Sequence, residues 1–132
     1  MSLKLSLKAH ERLIIGGAVV TNGDAKCVLI VENNVPILRE KDILREEDAT
    51  TPCRRIYFTI QLMYVDEKNV AEYHEAYWKL VREVMDAAPS TLGLIDPISS
   101  HILSGRYYQA LKLCRELMDY EQEVIDNVRK ST

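Results

Sequence analysis

The sequence predicts an α+β fold, a small N-terminal antiparallel β-sheet followed by three to four helices. Three observations carry that prediction. Residues 1–48 show period-2 alternation and β-branched runs broken by Gly and Asn pairs. Thr51-Pro52 has the marks of a helix start, an N-cap hydroxyl followed by proline at the first helical position. Beyond it, apolar residues recur every three or four positions instead of every two. With 132 residues, 47% of them hydrophobic, the chain suits one domain over 1–132, β-rich in 1–48 and helical in 51–132.

In the front part, Leu3, Leu5 and Leu7 alternate with Lys4, Ser6 and Lys8, the pattern of a half-buried strand. Arg12 to Thr21 is β-branched and interrupted by Gly16-Gly17, which predicts a turn or bulge there. Asn22-Gly23 is a type I′ hairpin signal, with Lys26 to Val31 as the returning strand. Pro36 opens a short strand over Ile37 to Glu40, and its missing N–H suits a sheet edge. The expected sheet has four or five strands.

In the back part, Cys53 to Val65 is rich in β-formers, yet Ile56, Ile60, Met63 and Tyr64 share one helical face. Helix is favoured and strand remains open. Asp66 or Asn69 is placed to cap the next helix, whose stripe of Val70, Tyr73, Tyr77, Leu80, Val81 and Val84 ends at Pro89. Asp96-Pro97 is expected to open a short helix stopping near Gly105. A last helix from about Arg106 towards Val128 places Tyr107, Leu111, Cys114, Met118 and Ile125 on one side.

Composition narrows the function. No apolar run approaches the roughly 18 residues of a bilayer span, and the alternating N-terminus lacks the apolar stretch of a signal peptide. The expectation is a soluble, cytoplasmic protein without a membrane partner. Cys27, Cys53 and Cys114 are scattered and form neither a disulfide framework nor a metal knuckle. No phosphate-cradling loop or serine elbow is present. His10, His74 and His101 stand apart and read as surface or packing residues, and Glu46-Glu47-Asp48 reads as a solvated loop. His74 and Glu75 are neighbours on a helix and point apart, a poor catalytic pair. No enzyme, cofactor or metal is expected.

The formal net charge of −3 conceals an asymmetry. Residues 1–45 hold seven Lys and Arg against five Asp and Glu, and the remainder holds ten against fifteen, so +2 faces −5. Arg54 and Arg55 lie near Tyr57, Phe58 and Tyr64, a mixture that RNA-binding surfaces use for stacking and phosphate contact. The alternative is an aromatic core helix with two exposed arginines at its start. Two cations at a helix N-terminus oppose the macrodipole, which tilts the balance towards a ligand-facing role.

The stretches LKLSLKAHERLIIGGAVV, VPILREKDIL and ATTPCRRIYFTIQLMYVDEKN, with the helical SGRYYQALKLCRELMDYE, resemble the flagellar post-transcriptional regulator FlbT family over essentially the whole chain. The resemblance implies a cytoplasmic bacterial repressor or activator of flagellin synthesis. Such a protein binds the 5′ untranslated region of flagellin mRNA and alters its translation and decay, alongside a second small regulator, FlaF. The front stretch LKLSLKAHERLIIG is also similar to the first strands of the carbon storage regulator CsrA family, small RNA-binding proteins that dimerise through interleaved strands. That similarity implies a homo-oligomer and singles out Arg39, within Leu38-Arg39-Glu40-Lys41, as an RNA contact. The first-strand arginine of that family is replaced by Leu7, with Lys8 beside it.

The candidate RNA-binding residues are therefore Lys4, Lys8 and Arg12 on one edge of a patch, Arg39, Lys41 and Arg45 on the other, with Arg54 and Arg55. Lys4, Ser6 and Lys8 share one strand face. Phosphate contacts from such residues supply salt-dependent affinity and no sequence reading. DNA is not expected as a partner. The competing expectation is a protein-interaction module or chaperone-like factor, whose Tyr- and Met-rich helices bind flagellin or a FlaF-type regulator.

Overall fold

The computed structural model describes residues 2–131, which fall into two compact units divided between Ile43 and Leu44. The α+β order is as expected, strands first and helices after.

The first unit contains β1 (Leu3–Leu7), β2 (Arg12–Ile15), β3 (Ala18–Thr21), β4 (Cys27–Val31) and β5 (Ile37–Arg39). These five strands form two antiparallel sheets, β1-β4 and β3-β2-β5. The Asn22-Gly23 hairpin does not occur: β3 pairs with β2, and β4 returns to β1 with Leu5 opposite Leu29. The reason lies in the backbone. Gly16 and Gly17 have φ of 56° and 87° and join the Ile15–Ala18 pair, so the two-residue hairpin loop forms there. Neither Asn22 nor Gly23 has a positive φ. The Asn22 amide instead donates to the carbonyls of Lys8 (2.7 Å) and Ala25 (3.0 Å), holding the strand connections together. Burial follows the pleat: Leu5, Leu7 and Leu13 form a small core with Ile15, Val20, Cys27, Leu29, Val31 and Ile37 against it. On the opposite face of β1-β4, Lys4 and Ser6 lie beside exposed Val28 and Ile30. As expected from Pro36, β5 is an edge strand.

The second unit is helical: α1 (Pro52–Val65), α2 (Val70–Ala87), α3 (Leu92–Leu103) and α4 (Tyr107–Lys130). The ambiguous segment is thus helix. Thr51 is its N-cap, its hydroxyl accepting the Arg54 N–H at 3.2 Å, and Pro52 follows. Ile56, Tyr57, Ile60 and Met63 are buried, which explains the β-forming composition as core demand. Neither Asp66 nor Asn69 makes a side-chain cap. Asp66 instead accepts the Tyr73 hydroxyl at 2.5 Å and the Asn69 amide at 2.9 Å.

The helix expected to begin at Asp96-Pro97 begins at Leu92, with Pro97 inside it. Proline removes one ladder donor and its ring crowds the preceding turn, and burial of Ile95, Ile98 and Ile102 outweighs that cost. Gly105, φ 72°, ends α3 as expected: its N–H donates to Ile102 and the Arg106 N–H to His101, a Schellman closure. Leu117, not Met118, completes the buried stripe of Ala110, Leu111 and Cys114 on α4.

Candidate nucleic-acid interface

The strand unit gathers three of the predicted basic residues. An open groove of about 710 Å³ is lined by Lys8, His10, Glu11, Arg39, Glu40 and Lys41, with Ala9. Its floor is built by one ion pair. Glu11 is the last residue of the Lys8-Ala9-His10-Glu11 turn, and Arg39 ends β5. The Glu11 carboxylate accepts the Lys8 N–H at 2.9 Å on one oxygen. On the other it accepts Arg39 Nη2 at 2.8 Å and Nε at 3.2 Å. Arg39 Nη2 also donates to the Ser6 carbonyl at 2.7 Å. The Lys8 amide, then the Arg39 guanidinium, hold the Glu11 carboxyl below its ordinary pKa.

Arg39 is therefore a strut tying the end of β1 to β5, its charge largely matched by Glu11. The groove's other charged side chains are Lys8, Lys41 and Glu40, whose carboxylate accepts the Arg12 N–H at 2.9 Å. Lys4 stands about 13 Å further along β1 from Lys8 at the usual strand rise, on its exposed face. Arg12 is exposed at the start of β2 and does not line the groove.

The other candidates belong to the helical unit. Arg45 pairs with Asp48 at 3.0 Å and Glu47 at 2.8 Å, so the acidic run matches its charge locally and Asp48, then Glu47, raise its pKa. Arg54 donates to Gln122 at 3.1 Å and Thr50 at 3.3 Å, whereas Arg55 is exposed. The expected conflict with the helix dipole is offset by a residue far away in sequence. Glu121 of α4 accepts the Cys53 N–H at 3.0 Å and the Thr51 hydroxyl, placing a carboxylate at the start of α1. Of the aromatic neighbours, Tyr57 is fully buried and Phe58 and Tyr64 are half-buried.

The same unit has a second, apolar groove of about 350 Å³ between the start of α1, the end of α2 and the later turns of α4. Pro52, Val84, Ala87, Tyr120, Val124 and Ile125 are among its walls. The remaining histidines make structural contacts. His74 meets the Tyr107 hydroxyl at 2.9 Å, and His101 accepts from Arg106 Nε at 2.9 Å. Among the described residues, no group of three or more His, Cys, Asp or Glu is placed to hold a metal ion, and no helix is long and apolar enough to cross a membrane.

Sequence reasoning passed over two residues of the strand-unit groove, His10 and Glu11. The turn that carries them contains no Gly, Asn or Pro, so nothing in the sequence marks it as a turn.

Comparison with known proteins places the chain in a family. A family model described as flagellar protein FlbT matches residues 3–125. A Bradyrhizobium diazoefficiens protein, named probable flagellum biosynthesis repressor protein FlbT 1, is 44% identical across 94% of this chain and 85% of its own length. The flagellum biosynthesis repressor protein FlbT of Caulobacter vibrioides is 42% identical across 97% of this chain and 92% of its own. A Rhodopseudomonas palustris relative with the probable repressor name is 41% identical across 95% and 98%. No solved structure matches the chain. The family match and these near full-length identities establish that the chain belongs to the FlbT family of flagellar proteins.

Proposed function

We propose that the chain is a regulator of flagellum biosynthesis that acts after transcription, by binding the 5′ untranslated region of flagellin mRNA and changing its translation and decay. Regulation of flagellar synthesis follows from the repressor names of its relatives. The RNA step is supported by one observation: Lys8, Arg39 and Lys41 converge on a single open groove of the strand unit. In this reading Lys8 and Lys41 contact phosphates, Lys4 and Arg12 extend the electrostatic footprint, and Arg39 fixes the groove's shape. The protein acts without cofactor and without chemistry of its own. A homo-oligomer would multiply a patch that is small in one copy.

A salt-series binding assay with purified protein and a labelled flagellin leader RNA tests this reading. Binding that weakens with salt is expected. The combined Lys8→Gln and Lys41→Gln changes should lower the logarithmic salt slope by about 1.4, at roughly 0.7 per single-strand phosphate contact. Absence of binding by pure protein refutes it. The apolar groove of the helical unit favours a second reading, a docking site for flagellin or a FlaF-type regulator, with mRNA affected indirectly. Binding of RNA only after such a partner is added would support that second reading.

A further inference from the structure

His10 adopts a left-handed backbone conformation that few non-glycine residues take, with Asn, Asp and His taking it more often than the rest. Among the described residues it is the single non-glycine residue with a positive φ, 62°. It stands at the third position of a turn closed by the Glu11 N–H donating to the Lys8 carbonyl at 3.2 Å. Positive φ at that position alone is the type II pattern, where Gly or Asn is the ordinary choice. A second backbone bond, from the His10 N–H to the Gly23 carbonyl at 2.8 Å, holds it there. Left-handed residues maintained against their preference concentrate at binding sites. The His10 side chain is exposed and lines the same groove as Lys8, Arg39 and Lys41, with Glu11 and Glu40.

We propose that this groove takes one unstacked nucleotide of a single-stranded RNA, with the His10 imidazole stacked on its base and Lys8 and Lys41 at the flanking phosphates. The inference rests on the RNA reading above and adds a base contact to it. A flat aromatic ring sharing one groove with two lysines offers a base a stacking surface and its phosphates cationic partners. Lysines alone would serve an acidic peptide equally well, and the ring favours the nucleotide. Glycine at position 10 would relieve the backbone and empty the stack, so stability and binding should move in opposite directions.

The test uses the full chain and fluorescence anisotropy with a labelled flagellin leader RNA, beside thermal melts. His10→Gly should melt higher than the parent, bind RNA about tenfold more weakly and keep the parental salt slope. His10→Asn, which tolerates the same backbone, should repeat that result, and His10→Tyr should retain binding to within a few-fold. Parental affinity in His10→Gly, with the Lys8→Gln and Lys41→Gln pair weakened, overturns the stacking role and leaves the RNA reading standing. Parental affinity in both places the RNA elsewhere on the protein and overturns the inference, whereas no binding by the parent overturns the RNA reading and the inference with it. Displacement by polyglutamate as effective as by unlabelled RNA overturns the nucleotide in favour of an acidic peptide.

Discussion

Replacing Gln61 by leucine should loosen the segment leading into α1 without disturbing the helix itself. Gln61 is 4% exposed on α1, and its amide makes both available bonds to one residue. Its Oε1 accepts the Leu44 N–H at 2.8 Å and its Nε2 donates to the Leu44 carbonyl at 3.0 Å. Leucine has similar bulk and good helix propensity, so the substitution removes two hydrogen bonds and little else. Each bond contributes about 1 kcal/mol net, and Leu44 is half-buried, so water partly re-satisfies it. The expected loss is about 2 kcal/mol, or about 1 M in the urea midpoint at a typical slope of about 2 kcal/mol/M. The Leu44 amide should exchange its hydrogen faster, while amides of the α1 interior slow and quicken only with global stability. An unchanged midpoint together with unchanged Leu44 exchange would refute the reasoning that this amide clamp holds the segment.

Other outcomes follow from single features. Gly105→Ala places a Cβ at φ 72° and should cost about 1–2 kcal/mol in a denaturant melt, although nothing within 4 Å obstructs the new methyl. Thr51→Ala removes the α1 cap and the hydroxyl given to Glu121, for about 1–2 kcal/mol by the same measurement, with Thr51→Ser retaining most of it. Glu11 and Asp66 have folded pKa values below their ordinary 4.5 and 3.8. Their stabilisation is present above those values and fades as pH falls through the lowered ones. Circular dichroism should show an acid limb that Glu11→Gln and Asp66→Asn flatten. Burial pushes the Cys53 thiol up to about 12 and raises Cys114 as well. Iodoacetamide on the native protein, read by mass spectrometry, should therefore modify half-buried Cys27 first.

Local patterns were legible wherever one residue's own chemistry decided the outcome. Thr51-Pro52 opens α1 and Gly105 closes α3, because cap geometry depends on a few adjacent residues. Pairing between strands was less so. Two glycine-containing turn signals competed, and the hairpin formed at Gly16-Gly17, both at positive φ, while the Asn22 side chain bonded to Lys8 and Ala25 instead. Pro97 misled because core burial overrode its breaker role. In the groove, Lys8 and Lys41 were found by charge, and Arg39 by charge together with the resemblance to the CsrA family. The matching of Arg39 by Glu11 depends on residues 28 apart in sequence, and the strained turn at His10 bears no turn residue. Charge identifies which residues are candidates, and partner geometry decides which charges remain available.

The Glu121 carboxylate that closes the start of α1 comes from 68 residues downstream of the Cys53 N–H it accepts. Helices α1 and α4 also pack directly against each other. During synthesis, α1 therefore leaves the ribosome with its Thr51 cap but without the carboxylate that accepts the Cys53 N–H, its apolar face open, and remains so until residue 121 has been added. The pairings of β1 to β5 are complete within the first 39 positions. The strand unit, with its groove, can form while the helical unit is still being made, and a nascent chain stalled before residue 121 should present the first without the second.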